Sequence, residues 1–68
     1  MIHRRKTYVC DGTPRDEDVL QAIEIAQREN CQIMLCWYVE WSGNYSVLVK
    51  PDSTLESVNE KIPRVYGI

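Results

Sequence analysis

Residues 31–41 read CQIMLCWYVEW, and the period of this stretch is two. Ile33, Leu35, Trp37, Val39 and Trp41 fall on one side of an extended chain, and Gln32, Met34, Cys36, Tyr38 and Glu40 fall on the other. This is the alternation of a strand with one face committed to a core. Ser42, Gly43 and Asn44 follow as a turn signal, and YSVLVK over 45–50 reads as the returning strand. A three-residue turn over 42–44 sets Trp41 opposite Tyr45, Val39 opposite Val47 and Trp37 opposite Val49, with Gly43 or Asn44 left-handed. Parity carries more weight than the partners, because a slip of one residue would move every side chain of a strand to the wrong face.

Upstream of this hairpin, residues 4–11 read as a first strand, favoured by Thr7, Tyr8 and Val9 and stopped by Asp11-Gly12. Thr13 and Pro14 then suit the N-cap and first position of a helix, and Asp16, Glu17 and Asp18 suit the positive end of its dipole. Val19, Ala22, Ile23 and Ala26 make its buried stripe, and Asn30 can end it in a left-handed conformation. Downstream, Pro51 closes the hairpin, and Ser53-Thr54-Leu55-Glu56 has the pattern of a capping box. The short helix it opens turns Leu55, Val58 and Ile62 inward and stops at Pro63; residues 64–68 are an edge strand or extended chain. The order β-α-β-β-α predicts one α+β domain over 1–68: three strands, or four with the tail, and two helices on one face. Whether the first strand lies beside the second or the third stays open.

The chain has 68 residues, of which 44% are hydrophobic and 26% charged, enough for one thin core and no large enclosed active site. Its net charge is −2, a poor footprint for a dedicated duplex binder. The distribution is uneven. Residues 1–15 carry Arg4, Arg5, Lys6 and Arg15 against Asp11, and the remainder holds nine acids against four bases. No apolar run reaches the length of a membrane span, and three cysteines suit a reducing compartment, so the expectation is a cytoplasmic protein without a membrane partner. Cys10, Cys31, Cys36 and His3 lack the spacing of a metal site, and neither a phosphate-cradling glycine run nor a nucleophile motif is present. We therefore expect no metal, no cofactor and no catalytic residues.

The feature with functional reach is the second face of the hairpin. With both helices on the first face, Met34, Cys36, Tyr38 and Leu48 form an apolar centre rimmed by Gln32, Glu40, Ser46 and Lys50, as interface patches do. The plainer alternative is an ordinary half-exposed strand face, or one covered by the tail. The expectation is a small non-enzymatic interaction protein, an inhibitor or regulatory adaptor of the kind mobile elements encode against host systems. It would bind a protein partner, with a homodimer as the simplest version because a two-fold axis needs only one patch. The alternative is a nucleic-acid-binding accessory that uses Arg4, Arg5 and Lys6 on phosphates and Tyr8 as a stacking face.

Overall fold

A computed structural model describes residues 4–63, so His3 and the 64–68 tail lie outside the described residues. The elements are β1 (Arg5–Val9), α1 (Asp16–Glu29), β2 (Gln32–Val39), β3 (Gly43–Val49) and α2 (Leu55–Lys61). The strands form one mixed sheet in the order β1-β2-β3, with β1 parallel and β3 antiparallel to β2. This settles the place of the first strand: β1, α1 and β2 form a βαβ unit with adjacent strands, and the split arrangement is not adopted.

Both helices pack on one side of the sheet. Ile33, Leu35, Trp37, Val47 and Val49 alternate into that layer and are buried, where they meet Val19, Ala22, Ile23 and Ala26 of α1 and Val58 of α2. Ala22 and Ala26 are fully buried, as small residues must be where a helix seats closely on a sheet. Two polar contacts tie the helical layer together. Asn59 Nδ2 donates to Asp16 Oδ1 at 3.2 Å, and Gln27 Nε2 donates to the Pro51 carbonyl at 3.1 Å.

The helix ends differ in detail from expectation. α1 starts two residues after Pro14, with Arg15 as N-cap, whose N–H donates to Asp18 Oδ2 at 3.0 Å. Pro14 is buried in the turn before the helix. Asn30 does end α1 left-handed, at φ 49°. At α2 the capping pair is Thr54 with Ser57, one residue later than Ser53 with Glu56: Ser57 N–H donates to Thr54 Oγ1 at 3.1 Å, and Thr54 N–H donates to Ser57 Oγ at 3.0 Å. A hydroxyl at the third helical position reciprocates here as a carboxylate would.

The hairpin keeps the expected parity but not the expected partners. The pairs are Ile33 with Val49, Leu35 with Val47, Trp37 with Tyr45 and Val39 with Gly43, so the turn is Glu40-Trp41-Ser42 and β3 begins at Gly43. Trp41 consequently leaves the core set and stands at the tip, 83% exposed. The reason is local. Ser42 N–H donates to the Val39 carbonyl at 3.0 Å to close the turn, and Gly43 then adopts φ +99°, which glycine tolerates best. The register also stacks Trp37 on Tyr45, with ring centroids 5.7 Å apart and planes at 15°. An added Cβ at Gly43 would meet nothing within 4 Å, so its cost is backbone strain alone. Gly43→Ala should therefore destabilise by about 1 kcal/mol. Chemical denaturation reads this directly, and an unchanged midpoint would show that the turn does not depend on the left-handed residue.

Candidate functional site: the open face of the sheet

Because partners in a parallel pair share a face, the register places every β1 side chain. Thr7 stands beside Met34 and Val9 beside Cys36 on the open side, whereas Tyr8 stands beside Leu35 on the helical side. The open face is thus a short grid. Arg5 and Gln32 stand at one end, level with Lys50, which follows β3. Thr7, Met34 and Leu48 form the next row, then Val9, Cys36 and Ser46, then Tyr38 and Asn44.

The four residues expected to form a patch are brought together. Met34 pairs directly with Leu48, and Cys36 and Tyr38 continue along the same face of β2. Met34, Cys36 and Leu48 are half-buried by their neighbours, and Tyr38 is 56% exposed. The Tyr38 hydroxyl donates to the Glu40 carbonyl at 3.1 Å, which lays the ring along the strand toward the tip. Val9 joins them at 75% exposure. Sequence reasoning misses Val9, since only the parallel pairing with β2 assigns it to this face. A concavity of about 440 Å³ opens past the end of β1 among Val9, Cys36, Tyr38 and Ser46, and it reaches Cys10, Trp37 and Tyr45 of the helical side.

The second set is divided: Arg4, which acts on Glu29 together with Lys6, has the strand parity of Lys6 and Tyr8, and Arg5 stands apart from them. Strand alternation puts Arg5 on the open face and Lys6 and Tyr8 on the other. Lys6 Nζ donates to Glu29 Oε1 at the end of α1, and chiefly through that bond Glu29 is held below the usual carboxylate range. Tyr8 is half-buried against the core, and burial, with Asp18 and Cys10 nearby, raises its phenol.

The thiols are likewise divided. The Cys10 N–H donates to the Cys36 carbonyl at 2.7 Å, but alternation sends the two side chains to opposite faces, and all three cysteines are free. Among the described residues no three His, Cys, Asp or Glu side chains gather as metal ligands, and no helix is long and apolar enough to cross a membrane. Trp37 Nε1–H is buried without an acceptor among the described residues, a cost its packing and stacking must offset. No protein-family model matches the chain, and no curated protein or solved structure does so either.

Proposed function

We propose that the protein is a non-enzymatic interaction module, an inhibitor or regulatory adaptor that acts by binding a protein partner through the open face of its sheet. One observation carries this reading: both helices cover one face, and the other presents Val9 and Tyr38 beside half-buried Met34, Cys36 and Leu48. An apolar centre with an aromatic hydroxyl and a polar rim suits a protein surface, where tyrosine supplies contact area at low entropic cost.

Tyr38→Glu tests it. A carboxylate within a desolvated interface should reduce partner binding by ~100-fold or more, and the fold should persist because Tyr38 is 56% exposed. The comparison is capture from lysate with nuclease present, set against Leu20→Glu, which puts the same charge at an exposed position on α1. A protein recovered with wild type and Leu20→Glu but lost with Tyr38→Glu supports the face. Equal recovery with all three, or recovery only of nucleic acid that is lost on replacing Arg4 and Arg5, would overturn it.

A further inference from the structure

The open face is complementary to itself. Its one end carries Arg5 and Lys50; the other is flanked by Asp11 after β1 and Glu40 at the hairpin tip, and all four are exposed. Between them the apolar rows are unequal. The concavity beside Val9, Cys36, Tyr38 and Ser46 reaches Trp37 and Tyr45 as well, and the Met34–Leu48 pair is not part of its lining.

Suppose two such faces stack about a two-fold axis that lies between them and runs across the strands. The rotation reverses strand direction and keeps each strand over its own copy. The level of the axis then follows from register. The midpoint of Arg5 and Asp11 along the chain is Tyr8, which pairs with Leu35. The midpoint of Met34 and Cys36 is Leu35 itself. Lys50, level with Gln32 but following β3, and Glu40, following β2, stand one strand apart with their midpoint level with Cys36. A single axis near Leu35 therefore brings the basic end of one copy, Arg5 and Lys50, over the acidic end of the other, Asp11 and Glu40, and sets the Met34–Leu48 pair over Cys36 and Ser46.

Resting on the reading of this face as a protein interface, the geometry points to a second copy of this chain as its occupant, stacked antiparallel. The arrangement is isologous and closes as a dimer. Three strands at ~4.8 Å spacing and about seven residues at ~3.3 Å rise give a face of roughly 14 by 23 Å. Two copies then bury on the order of 600–1,000 Å², the size of a weak, exchanging association.

Charge reversal at exposed positions provides the test without disturbing the core. Sedimentation equilibrium of wild type should show reversible dimerisation, weakened ~10-fold or more by either Lys50→Glu or Glu40→Lys alone. An equimolar mixture of the two variants should recover it, because each contact of the mixed dimer again joins opposite charges. A wild type that stays monomeric into the millimolar range, variants that associate as wild type does, or a mixture that gains nothing would each overturn the self-pairing. If any of these occurs while a heterologous protein is still lost on Tyr38→Glu, the interface reading stands and only the occupant changes. Dimerisation insensitive to Tyr38→Glu overturns the self-pairing on this face as well.

Discussion

Leu35→Ala should cost 2–5 kcal/mol, approximately the range for emptying a well-packed core site. Leu35 is fully buried on the central strand, between Tyr8 of β1 and Val47 of β3 and beneath the helical layer. The site cannot collapse easily, because a rigid strand lies on either side of it. A domain of this size has a total stability of roughly 3–10 kcal/mol, so the loss removes much of the margin and lowers the midpoint of thermal unfolding by roughly 10–30 °C. Met34→Ala is the informative partner. It deletes a side chain of similar volume from the adjacent residue of the same strand, but on the open face, where the side chain is only half-buried. Its cost should stay near or below about 1 kcal/mol. Thermal melts of the two variants check both statements. Equal losses would mean that the open face is a second core and would remove the ground for treating it as an interface.

The contrast between those neighbours was readable from the sequence for a physical reason. A strand with one covered face must alternate, and Ile33, Leu35 and Trp37 against Gln32, Met34 and Cys36 allow no other parity. Helix α1 was readable for a similar reason, since Val19, Ala22, Ile23 and Ala26 define one stripe and Asn30 supplies its stop. What depends on contacts between distant segments was less visible. The hairpin shifted its partners because Gly43 can close the turn from the end of Glu40-Trp41-Ser42, and alternation alone does not choose between registers of equal parity. Trp41 was the casualty. Its type and spacing match Trp37, and only the turn decides that one is 2% exposed and the other is at the tip.

The same distinction divides the candidate site. Met34, Cys36, Tyr38 and Leu48 lie on two strands joined by a short turn, so parity alone puts them on one face. Val9 could not be added without knowing which strand β1 adjoins and in which direction. The run Arg4-Arg5-Lys6 looks continuous in sequence, but an extended chain sends neighbours to opposite faces and the α1 terminus captures Lys6. Linear charge clusters are informative on loops; on a strand they are halved.

A single fast thiol is the second large effect. Cys36, half-buried on the open face with its Sγ donating to the Met34 carbonyl at 3.6 Å, should react with a disulfide reagent at native pH. Cys10 and Cys31 are buried and should react only through opening of the fold, slower by ~1,000-fold or more for a domain about 4 kcal/mol stable. Three comparable rates in folded protein would overturn the core assignment. Cys10 adds a pH dependence. Burial first, then Asp18 and Cys36, push its thiol up to about 11 from an ordinary value of 9.0. The folded chain therefore keeps a proton that the unfolded chain releases. The resulting stability is fully present below pH 9.0 and is lost as pH rises toward 11, by less than the ceiling of ~2.7 kcal/mol that the rise from 9.0 to about 11 sets. Cys10→Ala should lack that part of the alkaline slope, and denaturant midpoints of the two proteins across this range should converge as pH rises. Cys36 then reports on the face itself. If two copies stack as argued, its reaction should slow as protein concentration rises into the dimer range, and Lys50→Glu should move that protection to ~10-fold higher concentration without changing the rate in dilute protein.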